Sequence, residues 1–307
     1  MRPAGVKGPA PVVTFILLAM RLLGKLPLPV LQGAGRRLGR LIFRLDRRHR
    51  EIALNNLRFV FGDQRSPAEI NRMAEGVFQG MGQLPLEVCW SLAVHRRNWE
   101  RFFKISGLEH YQRAMAEGNG VLCLTAHVGN WELLPVVGAM TKLPLHVVYR
   151  PLDAPILDEV VSRIRRRFGA RLIAKKKSVF KINRVLRNGE CIAILLDQNV
   201  DWYEGVFVDF MGHRACTSKG LATLSILSRV PVVPVFLVRE GDGFHAYFEP
   251  PLYPLVSGDR IRDLEDNTER YNQAIEAFVR RYPDQWFWVH QRWKTRPYHP
   301  IPVRSGP

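Results

Sequence analysis

A histidine and a glutamate lie five residues apart in the stretch His127-Val-Gly-Asn-Trp-Glu132, and together they could activate a hydroxyl group. A hydroxyl is a weak nucleophile at neutral pH, so a nearby imidazole must take its proton during attack. A carboxylate on the other ring nitrogen fixes the tautomer and stabilises the imidazolium that forms. No serine or cysteine adjoins His127, which predicts direct attack by an acceptor hydroxyl and no covalent enzyme intermediate.

The elements around this pair must bring the two side chains together. On a continuous helix, a separation of five residues would turn them well apart. The apolar run Leu122–Ala126 indicates a buried strand, and Gly129 and Asn130 supply a turn and a helix N-cap. This places His127 at the carboxyl end of a strand and Glu132 in the first helical turn, where the two can meet.

The rest of the sequence predicts an α/β fold with a mixed central sheet flanked by helices, because short apolar strands alternate with helices from about residue 119. The predicted strands are Gly120–Ala126, Leu145–Tyr149, Glu190–Leu196, Val230–Val238 and His245–Phe248. The predicted helices are Asn130–Met140, Asp153–Phe168, Ser178–Arg187, Thr217–Ser228 and a closing helix, Asp266–Arg281. Residues 51–115 are predicted to be helical, with Ser66 as an N-cap. We assign residues 51–300 to one catalytic domain.

Residues 1–50 are predicted to be a helical, membrane-associating segment. The apolar run Pro11–Met20 is shorter than the about 20 residues of a comfortable membrane span, and no signal-peptide cleavage site follows it. Arginines alternate with apolar residues between Arg36 and Arg50, which suits a helix lying on an anionic membrane. An ordinary amphipathic helix with a solvated basic face is the alternative, and whether the segment spans the membrane stays open.

The net charge of +17 and the isoelectric point near 10.3 favour an anionic partner. An anionic membrane, an acidic carrier protein and nucleic acid all qualify, but no nucleic-acid-binding motif supports the last, which we do not expect as a partner. The four cysteines, Cys89, Cys123, Cys191 and Cys216, are scattered, with neither a CxxC pair nor a histidine at metal spacing. We expect buried thiols in a reducing compartment, no metal site and no cofactor.

Several further blocks accompany the His127–Glu132 stretch, and with it they resemble the bacterial lipid A biosynthesis (late) acyltransferases, within the wider glycerolipid acyltransferase superfamily. The matching blocks are Asp197-Gln198 after an apolar run, Gly205-Val-Phe207-Val-Asp-Phe-Met-Gly212 with Thr217, Pro231-Val-Val-Pro234, and Trp288-Val-His290-Gln-Arg292-Trp-Lys-Thr-Arg-Pro297. The resemblance extends from about residue 47 to 297. The chain departs from the family's pattern at Phe61-Gly62-Asp63 and Gln291-Arg-Trp-Lys294.

This resemblance implies a glycerol-3-phosphate-acyltransferase-like fold. It also implies transfer of a fatty acyl chain from acyl carrier protein to a hydroxyl of a glycolipid, a lipid A precursor, at the cytoplasmic face of the bacterial inner membrane. The same chemistry on another glycolipid or phospholipid, or with an acyl-CoA donor, stays open at this point. Acyl chain length depends on the depth of a packed tunnel, which the sequence does not report.

The resemblance also implies the substrate-binding residues. Arg150, after a strand, would bind an acceptor phosphate or polarise the thioester carbonyl, with a structural salt bridge as the alternative. Asp197 would orient Arg150 or lie in a plain turn. The further candidates are Asn130, Gln198, Gly205, Phe207, Gly212, Thr217, His290 and Arg292. Thr217 could instead cap a helix. His290 and Arg292 either reach the pocket or only hold the C-terminal segment in place. The basic runs Arg163–Arg167 and Lys175–Lys177 would meet an acidic carrier or anionic headgroups, or form a solvated face.

Overall fold

The computed structural model describes residues 10–175 and 178–297 of the chain. The helices are α1 (Ala10–Leu23), α2 (Leu28–Leu45), α3 (Arg47–Phe61), α4 (Pro67–Ala93), α5 (Leu108–Ala116), α6 (Leu134–Thr141), α7 (Pro155–Arg167), α8 (Val179–Arg187), α9 (Gly220–Ser228) and α10 (Arg260–Arg281). The strands are β1 (Phe103–Ser106), β2 (Val121–Thr125), β3 (Leu145–Tyr149), β4 (Arg171–Ala174), β5 (Cys191–Leu195), β6 (Gly205–Phe210), β7 (His213–Ser218), β8 (Val232–Glu240) and β9 (Gly243–Phe248).

A central sheet of seven strands carries the fold, in the order β1-β9-β8-β2-β5-β3-β4. Strands β8, β2, β5, β3 and β4 are parallel, whereas β9 pairs antiparallel with β8 and β1 pairs parallel with β9. Strands β6 and β7 form a separate antiparallel hairpin. The predicted mixed sheet flanked by helices is confirmed. Because β2, β5, β3 and β4 are parallel neighbours, the loops after them emerge at one edge, which we call the carboxyl edge.

Both faces of the sheet are buried. Alternate residues of β2 enter different hydrophobic clusters, Leu122 and Leu124 on one face and Val121 and Cys123 on the other. The first cluster includes side chains of α3, α4, α9 and α10, and the second includes side chains of α1, α5, α6 and α7. All four cysteines are free and buried, as expected for core thiols. Helices on both faces explain why the strands are almost uniformly apolar.

The N-terminal helices pack against the remainder of the chain through glycine. Helix α2 lies along α4, and a Cβ atom on Gly39 would come within 2.1 Å of the Phe78 carbonyl oxygen. A Cβ atom on Gly82 would meet the Gly35 carbonyl oxygen at 2.3 Å. The two backbones therefore approach too closely for side chains at these positions. The predicted boundary at residue 50 lies inside α3.

Within residues 10–175 and 178–297, no one helix has the length and apolar character needed to cross a membrane. Helices α1 and α2 meet both criteria only as a pair, and the chain bends by 111° between them. The outer side of this pair is apolar and exposed, with Phe15, Leu18, Leu22, Leu41 and Leu45 among its side chains. Such a surface is typical of helices that lie in a lipid–water interface.

Several elements differ from those predicted. The N-cap at Ser66 is confirmed as a capping box, with the Glu69 carboxylate accepting from the Ser66 amide at 2.9 Å. Strand β1 interrupts the region that was predicted to be helical. The sequence does not indicate this strand, because its four residues are too few to show an alternating pattern. The hairpin of β6 and β7 was not predicted, and it includes Thr217, so α9 begins only at Gly220.

Candidate active site

His127 lies just beyond the carboxyl end of β2, as predicted, in a turn that requires glycine. Gly129 has φ +62°, and a Cβ atom there would meet the Leu237 carbonyl oxygen at 2.0 Å. The Gly129 amide donates to the Gln285 carbonyl at 2.8 Å, and the Phe287 amide donates to the His127 carbonyl at 3.1 Å. The turn is therefore fixed from two sides, by β8 and by the C-terminal segment.

Asp197 is the carboxylate that holds the imidazole. Its Oδ1 lies 2.8 Å from Nδ1 of His127, and its Oδ2 accepts the His127 backbone amide at 2.9 Å. The indole Nε1 of Trp286 donates to the same Oδ2 at 2.8 Å. Strand β5, which ends just before Asp197, pairs directly with β2, and this pairing brings the two residues together. The contact favours a proton on Nδ1 and leaves Nε2 as the basic nitrogen.

The charges of the pair stabilise each other. Burial lowers the pKa of His127, but the neighbouring Asp197 charge and its hydrogen bond outweigh burial, so the pKa lies above its ordinary value of 6.5. Burial raises the pKa of Asp197, but the attraction of His127 and the hydrogen bonds from His127 and Trp286 together lower it to about 2. Asp197 is therefore ionised at neutral pH, and His127 is a stronger base than a free imidazole.

The prediction that Glu132 holds the second ring nitrogen of His127 is wrong in this structure. Glu132 lies in a 3-10 turn (Trp131–Leu133) and is bound at both oxygens by Arg165, at 2.6 and 2.9 Å. Both side chains are less than one-fifth exposed. The turn at Gly129 carries the chain away from Nδ1, which Asp197 already occupies. The Glu132 charge still raises the pKa of His127, and that of Arg165 lowers it, so the ion pair belongs to the same site.

Aromatic rings cover the imidazole. Trp131 meets the His127 ring edge-on at a centroid distance of 4.8 Å, and Phe287 lies 5.8 Å away. The two aromatic rings also contact each other at 6.0 Å. They limit the access of water to the imidazole, and a low local dielectric strengthens its interaction with Asp197.

A narrow apolar cavity of about 60 Å³ lies between the sheet and α6. Trp131, Glu132 and Arg165 contribute to its lining, so it adjoins the site. The remaining lining comes mainly from apolar side chains, among them Leu134, Val137, Leu145, Val147, Val235 and Phe248, together with Gly138. The arrangement offers an apolar slot whose lining includes the ion pair and Trp131, the ring that contacts His127, and such a slot suits an apolar group.

Asn130 has a structural role here. Its amide donates to Glu87 at 2.7 Å and to the Leu84 carbonyl at 3.3 Å. Glu87 is fully buried and forms an ion pair with Arg239 at 2.8 Å. This buried network ties the catalytic turn to α4, so Asn130 positions the turn and lies away from the cavity.

His290, Thr217 and Arg292 lie together near the hairpin of β6 and β7. The fully buried Arg292 guanidinium donates to the Cys216 carbonyl at 2.9 Å and to the Thr217 hydroxyl. Burial lowers the pKa of Arg292 to about 10. His290 accepts the Asn199 amide at 2.8 Å, and burial lowers its pKa to about 4. These contacts hold the C-terminal segment in place. The Thr217 hydroxyl accepts a hydrogen bond from Arg292, whereas the sequence had also suggested that Thr217 could cap the next helix.

The glycines of the predicted Gly/Phe-rich block shape the hairpin. A Cβ atom on Gly205 would meet the Cys216 sulfur at 2.5 Å, and Gly212 has φ +81° in the turn between β6 and β7. Phe207 lies half-buried in β6. All three residues position the hairpin that carries Thr217.

Two other candidates lie apart from the imidazole. The Arg150 side chain is 79% exposed and pairs with Asp153 at 3.4 Å, so Asp197 does not orient it. Gln198 is exposed to solvent. The cation at the site is Arg165, which the sequence analysis assigned to a basic run. The buried residues Val160 and Ile164 of α7 define an apolar stripe with Phe168 just after the helix, and Arg165 borders this stripe, a signal that could have singled it out.

The described residues contain no cluster of three or more histidine, cysteine, aspartate or glutamate side chains that could hold a metal ion. The site consists of an imidazole held by a buried carboxylate, a nearby ion pair and an apolar slot. Such an arrangement can activate a hydroxyl group toward an apolar partner.

Comparisons with known proteins identify the family to which the chain belongs. A sequence model of the family described as bacterial lipid A biosynthesis acyltransferase matches residues 9–295, and the chain belongs to this family. It is 29% identical over 281 residues to the lipid A biosynthesis palmitoleoyltransferase of Escherichia coli (strain K12), covering 89% of this chain and 88% of the relative. It is 28% identical over 274 residues to the lauroyltransferase of the same organism, with the same coverage. The chain is thus an acyltransferase of lipid A biosynthesis, as predicted.

A more distant similarity links the chain to a solved structure, the 1-acyl-sn-glycerophosphate acyltransferase of Thermotoga maritima. The two share 11% sequence identity with a TM-score of 0.36, over 80% of this chain and 98% of the other.

Proposed function

We propose that this enzyme transfers a fatty acyl chain from acyl carrier protein to a hydroxyl group of a lipid A precursor, with His127 as the general base. The observation that carries the proposal is the 2.8 Å contact between Nδ1 of His127 and Asp197. It leaves Nε2 as the basic nitrogen, and Trp131, which contacts the imidazole, also lines the apolar cavity.

In the proposed reaction, the acceptor O–H gives its proton to Nε2 of His127 as the oxygen attacks the thioester carbonyl carbon. The carbonyl oxygen takes up negative charge in the tetrahedral intermediate. When the C–S bond breaks, the sulfur leaves as a thiolate and takes the proton from the imidazolium. Asp197 stabilises the imidazolium between these steps, and no acyl-enzyme forms because the acceptor itself is the nucleophile.

The ion pair of Glu132 and Arg165 supplies the second part of the mechanism. An Arg guanidinium has five N–H donors, and Glu132 accepts two of them. Glu132 fixes the guanidinium at the wall of the cavity, and we assign to Arg165 the stabilisation of the charge that develops on the thioester oxygen. Glu132 is then a positioning residue for Arg165, and the partner of His127 is Asp197.

The enzyme would act on the inner membrane from its cytoplasmic face. The exposed apolar side of α1 and α2 supports attachment to a membrane, and the arginines of α2 would stay on the cytoplasmic side. The net charge of +17 suits both an anionic membrane and an acidic carrier protein as acyl donor.

Mass spectrometry of a lipid A precursor incubated with purified enzyme tests the proposal. Acyl carrier protein donors of several chain lengths form one arm and the matching acyl-CoA donors a second. We expect a single added acyl chain with the carrier-protein donors, and loss of turnover in His127→Ala, which should still unfold cooperatively but at a lower midpoint, because the buried Asp197 carboxylate loses its partner. Retained turnover in His127→Ala would contradict the role of the base, and a preference for acyl-CoA would contradict the donor.

A further inference from the structure

Exposed apolar side chains concentrate on three loops at the carboxyl edge of the sheet. These loops follow β3, β4 and β5, which are neighbours in the sheet, and the last of them begins at Asp197. Each loop, or the first turn of the helix after it, exposes two large apolar side chains. We call this set the edge-loop patch, and its members are Leu152, Leu157, Val179, Phe180, Trp202 and Tyr203.

Contacts join the loops into one surface. The Lys175 ammonium after β4 binds the Glu204 carboxylate after β5 at 2.8 Å. The Lys175 amide donates to the Tyr149 carbonyl at the end of β3 at 2.9 Å. Trp202 and Tyr203 contact each other edge-to-face at 5.9 Å. The patch is therefore a connected face, beside the strand end that supplies Asp197.

These apolar side chains are more exposed and more closely grouped than the single apolar residues that are scattered over an ordinary protein surface. A single exposed leucine is ordinary, but Phe180 is 90% exposed and both aromatic side chains of the third loop are 57% exposed. Tryptophan and tyrosine combine an apolar ring with a polar tip, and they are enriched where proteins meet the lipid–water interface. The composition of the patch thus favours a partner that is apolar inside and polar at its surface.

The charges of the patch separate a lipid from an acidic protein. Carboxylates lie among the described residues of these loops and are bound there: Asp153 by Arg150, Asp158 by the Leu152 amide, Asp201 by the Tyr203 hydroxyl and Glu204 by Lys175. A docking surface for an acidic carrier protein would avoid carboxylates. A membrane interface tolerates such satisfied pairs, since the apolar side chains supply the binding free energy.

We propose that the edge-loop patch inserts into the lipid–water interface of the membrane and holds the carboxyl edge at the depth of the lipid headgroups. It would be a second membrane contact, separate from α1 and α2. The inference rests on the proposed function, because a lipid acceptor must reach His127 from the bilayer. Trp202 follows Asp197 by five residues, so the inserted loop is continuous with the residue that binds His127.

Fluorescent labels on single exposed thiols test this contact in the full-length enzyme. The four native cysteines are buried, so Phe180→Cys and Trp202→Cys each add an exposed thiol that an environment-sensitive NBD dye can label. Ile261→Cys is the matched control, because Ile261 is 70% exposed but lies in the first turn of α10. The labelled proteins are mixed with vesicles of phosphatidylethanolamine and phosphatidylglycerol, with and without a lipid-borne nitroxide quencher.

We expect NBD emission at positions 180 and 202 to shift to shorter wavelength on vesicles and to be quenched by the nitroxide lipid, while the label at position 261 stays unchanged. Water-like emission at 180 and 202 on vesicle-bound enzyme would refute the proposal. A response to acyl carrier protein alone, without one to vesicles, would instead make the patch a protein-docking site. These readouts require no turnover, so they stand or fall independently of the acyl-transfer assay.

The variants Phe180→Ser and Trp202→Ser provide a second measurement. Both side chains are exposed, so the thermal unfolding midpoint should not change. Vesicle partitioning should weaken about tenfold for each lost side chain, as expected for removing a large apolar group from the interface. Ile261→Ser should partition like the wild type. Equal partitioning of all three variants would exclude insertion of the patch.

Discussion

Replacement of Asp197 by asparagine removes one charge at the centre of the site with little change in shape. Oδ2 of Asp197 accepts two N–H groups, from the His127 backbone and the Trp286 indole. The amide oxygen of asparagine must take that position, because an NH₂ group cannot accept. The NH₂ group then faces Nδ1 of His127 and forces that nitrogen to accept, so the ring proton moves to Nε2. The variant therefore holds the imidazole in the tautomer that cannot act as base.

The expected loss of activity is large. The same change in the serine-protease triad, which also leaves the wrong tautomer, lowers kcat about 10⁴-fold. We expect a fall of about 10³–10⁴-fold here, equivalent to about 4–5.5 kcal/mol of transition-state stabilisation. The unfolding free energy should fall by only about 1–3 kcal/mol, because the hydrogen bonds to the amide oxygen remain but become neutral.

The assay is single-turnover acyl transfer from an acyl carrier protein donor, read by mass spectrometry, alongside thermal unfolding. Asp242→Asn is the matched control, because it makes the same change at an exposed carboxylate in the turn between β8 and β9. The control should retain wild-type kcat. A kcat of Asp197→Asn within tenfold of the wild type, in a folded protein, would refute the role of the carboxylate in setting the tautomer.

Three other predictions concern the cavity, the pH profile and the hairpin. Gly138→Val should shift the preferred donor to shorter acyl chains, since a Cβ atom there would approach Leu145 at 3.2 Å. Each methylene that is excluded from the cavity costs about 0.8 kcal/mol, which is roughly fourfold in kcat/KM. Competition between donors of different chain length measures this shift. The neutral imidazole is the base and the pKa of His127 is raised, so kcat/KM should decrease as the pH is lowered through a midpoint that lies above 6.5. A midpoint below pH 6.5 would contradict the pairing of His127 with Asp197. Arg292→Met should lower the unfolding free energy in denaturant titrations by about 1–3 kcal/mol, because the Cys216 carbonyl loses its Arg292 donor, whereas the Thr217 hydroxyl keeps the Asn272 amide as a donor.

The sequence predicted the architecture and the position of His127 at the end of a strand because local patterns determine both. The apolar run before His127 marks a strand, and the glycine after it marks a turn. The partner of His127 could not be predicted in the same way. Asp197 is distant in sequence, and its place beside His127 depends on β5 pairing directly with β2, although β3 and β4 lie between these two strands in the sequence. Glu132, which is near in sequence, was therefore favoured over the residue that is near in space.

The cation of the site illustrates a second limit. Arg150 follows a strand at the carboxyl edge, which made it the natural candidate, but its side chain is exposed and bound to Asp153. Arg165 lies within a run of arginines, where charge alone predicts a solvated face. The side of α7 that faces Glu132 depends on how α7 packs across the sheet, and this packing is a tertiary property.

The two hydrogen bonds at Oδ2 of Asp197 also constrain the order in which the enzyme becomes active. They join three segments that lie far apart in the chain, around residues 127, 197 and 286. A folding intermediate with a formed sheet but an undocked C-terminal segment would bring His127 to Asp197 without the Trp286 donor and without the Phe287 cover. Such an intermediate would leave the imidazole open to water and its carboxylate partner less firmly oriented. Full activity would then mark the last docking step, so recovery of turnover during refolding should lag behind recovery of secondary structure.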